Sequence, residues 1–181
     1  QINITGSSSS GNLNLYRDNS DVSSENSFNV SLGSGFYRYK VNSSGNQNYF
    51  ANATGAELYV NITKAVSDIR LYLNNSRSNF SISQGNLFDI NATLQSGQGI
   101  IYIYKAGELI YQGSSSYHDI INFSSSGLFN VTALYLETQN YTSSKDIFYV
   151  NVSDVSPPNI IIFQPMAKTY AYNTSLELNF S

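Results

Sequence analysis

The chain repeats itself. Gln47-Asn48-Tyr49, followed by Leu58-Tyr59-Val60-Asn61-Ile62-Thr63, returns as Gln139-Asn140-Tyr141, followed by Phe148-Tyr149-Val150-Asn151-Val152-Ser153. The offset is 92 residues at the first pair (139 minus 47) and 90 at the second (149 minus 59). Ile2-Asn3-Ile4-Thr5 matches Ile90-Asn91-Ala92-Thr93, and Asp89-Ile90-Asn91 matches Glu177-Leu178-Asn179, both at an offset of 88. A fixed period of this length makes each unit a small domain, and whatever one unit folds into its neighbour must fold into as well. Followed to both ends, the repeat gives one complete unit between two partial ones.

The complete unit reads as short strands separated by turn signals. The expected strands are Ile69 to Leu73, Asn86 to Leu94, Ile100 to Lys105, Glu108 to Gln112, Asp119 to Phe123, Leu128 to Tyr135 and Ile147 to Val152. Alternation is clear where Phe88, Ile90, Ala92 and Leu94 face Asp89, Asn91 and Thr93, and where Phe129, Val131 and Ala133 face Asn130 and Thr132. Side chains of a strand point alternately to its two faces, so the apolar sets point inward on half-buried strands. Ala106-Gly107 supplies a tight hairpin turn. Seven or eight such strands at this spacing predict an all-β sandwich.

The units divide as residues 1–66, which lack the opening strand, 67–155, which are complete, and 156–181. The last stretch holds the Pro157-Pro158 junction, an opening strand over Asn159, Ile160, Ile161, Ile162 and Phe163, and most of a second strand, Leu176 to Phe180. Two prolines lack backbone donors, so they end one sheet and limit the hinge to the next.

Charged residues make up only 12% of the chain, and its polarity comes mostly from Asn, Ser and Thr, as on secreted proteins. A net charge of -3 with nine scattered Lys and Arg offers no basic patch to a nucleic acid or an anionic membrane. The longest clean apolar run, Ile160-Ile161-Ile162-Phe163, is far short of the roughly 20 residues that span a bilayer. The absence of Cys excludes disulfides, thiolate nucleophiles and Cys-ligated metals. Packing and strand pairing must therefore hold the fold alone.

Asn-X-Ser/Thr sequons begin at Asn3, Asn29, Asn42, Asn52, Asn61, Asn74, Asn79, Asn91, Asn122, Asn130, Asn140, Asn151, Asn173 and Asn179. With 23 Asn and 39 Ser or Thr in 181 residues, random placement gives about five, so these 14 are a nearly threefold excess. An alternating strand in an Asn-rich chain produces the same spelling, since 11 of the 14 central residues are apolar or aromatic. Both readings agree on geometry: an inward central residue sends Asn and Ser/Thr together to solvent, where a glycan fits. Covalent N-linked glycans are expected, and no other cofactor.

No catalytic, cofactor or metal site is expected. His118 is the one histidine, and its neighbour Asp119 points to the opposite face of a strand, with no nucleophile placed to complete a triad. The 12 carboxylates are dispersed, without calcium-loop spacing, and only Asp68 and Asp154 stand near unit junctions. Tyr102 and Tyr104 lie on the face opposite Ile101 and Ile103, where Asn14 and Tyr16 match them in the first unit. An outward face of this kind suits either cross-strand aromatic pairing or stacking on sugars.

Gly35-Phe36-Tyr37-Arg38-Tyr39 and Gly127-Leu128-Phe129-Asn130-Val131 resemble the Gly-X-Tyr-X-Cys start of the sixth strand of immunoglobulin-like domains, with Tyr39 and Val131 in place of the cysteine. Only the first unit has, in Tyr37, the hydroxyl for a tyrosine corner. Phe129-Asn130-Val131-Thr132-Ala133, Gln139-Asn140-Tyr141-Thr142-Ser143 and Tyr149-Val150-Asn151-Val152, followed by Pro157-Pro158-Asn159-Ile160-Ile161, look like the tandem immunoglobulin-like modules of archaeal cell-surface proteins. That resemblance implies a non-enzymatic, extracellular structural segment of a filament, stalk or surface layer. Its partners are then copies of itself or further modules, head to tail. An adhesin or carbohydrate-binding module is the alternative. The segment Asn159 to Phe163 either opens a further module of a longer tandem array or acts as a donor strand for the first module of another copy.

Overall fold

The computed structural model describes residues 1–9, 11–164 and 179–180, with backbone pairing alone for 162–164 and 179–180. The first set of strands is β1 (Ile2–Asn3), β2 (Leu13–Arg17), β3 (Ser20–Asp21), β4 (Asn29–Val30), β5 (Gly35–Ser43) and β6 (Asn52–Ile62), with a 3-10 turn at Ser23–Glu25. The second is β7 (Asp68–Leu73), β8 (Phe80–Ser83), β9 (Leu87–Ser96), β10 (Ile100–Lys105), β11 (Glu108–Ser114), β12 (Ser116–Asn122), β13 (Gly127–Tyr135) and β14 (Ser144–Ser153). A final pair, β15 (Ile162–Gln164) and β16 (Asn179–Phe180), follows. The protein is all-β.

The second set forms two sheets, ordered β12-β9-β7 and β11-β10-β13-β14-β8. All pairs are antiparallel except β14 with β8. The alternating residues meet between the sheets: Leu71, Phe88, Ile90 and Ala92 from one side and Ile101, Ile103, Val131, Ala133 and Val150 from the other are all fully buried. Burying one such aliphatic or aromatic side chain contributes about 1.5–3 kcal/mol. Two sheets sharing one apolar layer, with the opening strand split between them, make an immunoglobulin-like sandwich. At the β10–β11 hairpin Ala106 (φ 51°) and Gly107 (φ 85°) both take positive φ, as a type I′ turn requires.

The first set repeats this plan strand for strand, but without counterparts of β7 and β8. Its sheets are β1-β4 and β3-β2-β5-β6. The ladders even keep register: Tyr37↔Val60 and Tyr39↔Leu58 reappear as Phe129↔Val150 and Val131↔Phe148, at offsets of 92 and 90. One departure is a bulge in β6 between Val41 and Ser43 of its partner, made by Gly55 at φ 53°. A Cβ there would lie 1.6 Å from the Val41 carbonyl oxygen, so only glycine fits.

Three expectations change. A strand at Phe80–Ser83 was not foreseen, although Phe80 and Ile82 alternate with two serines. The strand expected over Asn159 to Phe163 begins only at Ile162, leaving Asn159, Ile160 and Ile161 unpaired in the ladder after two prolines that cannot donate to one. The expected strand from Leu176 is described only at Asn179–Phe180, and residues 176–178 lie outside the described residues.

Candidate functional site at the sandwich junction

The linker after β6 enters the second sandwich through polar contacts. Ala65 donates to the Asn140 carbonyl at 2.8 Å and accepts from the Thr142 N–H at 2.9 Å, making a parallel bridge with Tyr141. Ser67, the one buried polar residue among those described, donates to the Thr142 carbonyl at 2.6 Å. A buried hydroxyl left without a partner is costly, so this bond fixes where β7 begins. From the first sandwich Ser34 N–H donates to Asn140 Oδ1 at 3.0 Å, and its hydroxyl donates to the Gln139 carbonyl. Lys64 and Glu137 pair at 2.5 Å, and a cleft of about 250 Å³ at the junction is lined by Leu32, Ile62 and Tyr141 among others.

The loop that receives these contacts is Gln139-Asn140-Tyr141, the segment repeated at Gln47-Asn48-Tyr49. The two loops are built alike: Thr138 donates to the Tyr141 carbonyl at 3.0 Å and Asn46 to the Tyr49 carbonyl at 2.9 Å. The side chains at 138 and 46 likewise accept from the tyrosine N–H, at 3.2 and 3.0 Å. Among the described residues nothing covers the first copy. Tyr49 is 59% exposed, and Phe50, the counterpart of Thr142, is fully exposed.

Beside that loop the first sandwich is open. A groove of about 230 Å³ runs between Ile4, Thr5 and Gly6 on one side and Ala56, Glu57 and Leu58 on the other, floored by Tyr39 and Val41. In the second sandwich the matching space holds β7, where Leu71 pairs with Ala92 and donates its N–H to Asp146 Oδ2 at 3.0 Å. Among the described residues the buried Tyr39 hydroxyl has no acceptor for its proton. The Arg17 guanidinium, whose pKa Tyr39 and then Glu25 raise, stands by it, but a guanidinium only donates and leaves the phenol proton without an acceptor.

The tyrosine corner expected of Tyr37 is present: its hydroxyl donates to the Gly33 carbonyl at 3.0 Å, next to Ser34. Of the sequon asparagines, Asn3, Asn29, Asn52, Asn61, Asn74, Asn79, Asn122, Asn140 and Asn151 are exposed, and Asn42, Asn91 and Asn130 are half-buried. Asn173 lies outside the described residues, as does the side chain of Asn179. Asn140 stands at the junction itself.

His118 does not meet Asp119. Its Nε2 lies 3.2 Å from Asp89 Oδ2 on the paired strand, on an exposed face. Asp68 pairs with Arg70 at 2.9 Å, and Asp154 accepts from the Ser156 N–H. No group of three His, Asp or Glu side chains converges among the described residues. Tyr102 and Tyr104 are half-buried on the outer face, behind the fully buried Ile101 and Ile103. No helix among the described residues is long and apolar enough to cross a membrane.

No protein-family description and no curated protein matches the chain. Among solved structures it is similar to the fibronectin(III)-like modules of Clostridium thermocellum CbhA, with 14% identity over 86% of each chain and a TM-score of 0.37. So distant a likeness carries no argument, and the sandwich assignment rests on strand order and on the shared core.

The Gln-Asn-Tyr repeat was legible before the fold, but its role was not. Its contacts run to residues about a hundred positions away and use backbone atoms, which leave no mark in composition.

Proposed function

We propose that the chain is a structural segment of an extracellular assembly, a filament, stalk or surface layer, in which immunoglobulin-like sandwiches follow one another head to tail and carry N-linked glycans. It acts without catalysis. The observation that carries this reading is the junction: one sandwich seats on the Gln139–Tyr141 loop of the next, and the same loop is repeated, uncovered, at Gln47–Tyr49. Heterologous contacts of this kind build an open fibre wherever their rotation does not close a ring. The resemblance to archaeal cell-surface modules and the density of exposed sequons support the extracellular setting. Electron microscopy of the native assembly is expected to show fibres or a lattice, and monodisperse particles would reject the reading. Intact-mass analysis of the native protein is expected to exceed the peptide mass, 20.0 kDa over this stretch.

An adhesin or carbohydrate-binding module is the second reading, favoured only by the outward Tyr102 and Tyr104. Glycan-array binding that disappears in Tyr102→Ala and Tyr104→Ala would establish it in place of the first.

A further inference from the structure

Phe36 on β5 and Tyr59 on β6 stack in the open, with ring centroids 5.4 Å apart and planes 18° from parallel. They are 65% and 58% exposed. The sequon residue Asn61 stands directly opposite Phe36 in the ladder and two positions beyond Tyr59, so all three side chains share the outer face of the sheet. We propose that the sugar attached to Asn61 packs on Phe36 and Tyr59, which form a platform for this chain's own glycan. This rests on the glycosylation reading above and adds which glycan is structural and what holds it.

The absence of an opening strand does not account for the bare rings. In the second sandwich, where β7 and β8 are in place, the same outer positions hold Leu128 and Tyr149, 67% and 45% exposed. Leu128 stands opposite Asn151, and Tyr149 precedes Asn151 by two, so the arrangement recurs with one ring replaced by an aliphatic side chain. Neither Asn61 nor Asn151 spends its side-chain amide on a hydrogen bond among the described residues.

Attachment forms a bond from Asn61 Nδ2 to the anomeric carbon of a diphosphate-activated sugar, the amide losing one proton as the diphosphate departs. Opposite side chains lie about 5 Å apart, and those two positions along a strand about 7 Å. The first sugar therefore reaches both rings. One face of a pyranose presents mainly C–H groups, which suit the negative face of an aromatic ring. Arg38, opposite Tyr59, and Glu57, whose Oε2 lies 3.5 Å from the Tyr59 hydroxyl, flank the rings and match the hydroxyls of the sugar's rim. A free ligand loses translational freedom on binding, whereas a tethered sugar is held at the platform already.

The test begins with glycopeptide mapping of the native protein, in which Asn61 is expected to be occupied. In NMR spectra of the native glycoprotein, C–H signals of the first sugar at Asn61 are expected upfield, shifted by the two rings, and Phe36→Ala with Tyr59→Ala is expected to remove the shift. Thr63→Ala abolishes the sequon and leaves Asn61 in place. Comparison with it is expected to show the glycan raising the folding constant of the first sandwich about fivefold, the scale of one aromatic contact, and raising it hardly at all without the rings. At Asn151 a smaller gain is expected, and Leu128→Phe is expected to increase it. All four substituted positions are exposed, so the variants keep their fold. The proposal is overturned if Asn61 carries a sugar whose signals are unshifted, or if the glycan's effect is the same with and without the rings. It is also overturned if Asn61 is bare while other sequons are occupied, which would spare the glycosylation reading; no sugar at any sequon would remove both. Loss of native fibres or lattices in the doubly substituted chain, with sugar signals unshifted in the parent, would make the rings a contact between copies instead.

Discussion

The two sandwiches share topology, ladder register and even loop hydrogen bonds, yet one buries fourteen core residues and the other three. Sequence quality does not explain the gap. Leu15 and Ile103 occupy equivalent positions and are both fully buried, whereas Val60 and Ile62 are half-exposed where Val150 and Val152 are buried. What differs is β7 and β8, whose side chains cover the edges of β9 and β14. Most of a small sandwich's apolar gain thus depends on its opening strand, because a domain of about 90 residues has little core to spare.

That comparison can be broken by measurement, most severely at β7. Leu71→Ala is expected to cost about 2–5 kcal/mol in the calorimetric transition of the second sandwich and leave that of the first unchanged. Equal loss in both transitions would mean the sandwiches fold as one unit. Gly55→Ala acts on the other side, where a Cβ meets the Val41 carbonyl, and is expected to cost about 2 kcal/mol in the first transition alone. A smaller effect distinguishes the corners: Tyr37→Phe removes one hydrogen bond and about 1 kcal/mol, while Phe129→Tyr brings no matching gain in urea titration. Lys64→Ala, which breaks an exposed ion pair, is expected to shift stability by less than about 0.5 kcal/mol, and the shift should vanish in 1 M salt.

The last expectation concerns titration. Burial, followed by the charge of Asp119, pushes the Tyr117 phenol up to about 12. A folded pKa above the unfolded value favours the neutral form, so this contribution is complete below pH 10 and is lost as pH rises through about 12. Ultraviolet titration should show a late step that Tyr117→Phe removes.

Alternation made most of the complete sandwich legible. Phe88, Ile90 and Ala92 are inward as spelled, and Ala106-Gly107 turns as its residue types demand. The strand at Phe80–Ser83 escaped because its partner, β14, lies some seventy residues away in a parallel ladder that no local signal encodes. The opening strand after Pro157-Pro158 was placed too early, since apolar runs reveal burial but not where pairing starts. The assembly surfaces were the least legible. Ser34 and Asn140 are unremarkable polar residues until the fold brings them together.

The parallel pairing of β8 with β14 has a mechanical consequence. Its four partnered residues, from Phe80↔Val150 to Ser83↔Ser153, join a segment near the front of the second sandwich to its last strand. A pull on the two ends of such a unit drags the paired strands in opposite directions along their length, so the cross-strand bonds resist together instead of unzipping singly. In a chain without disulfides this short shear clamp is where tensile strength would reside.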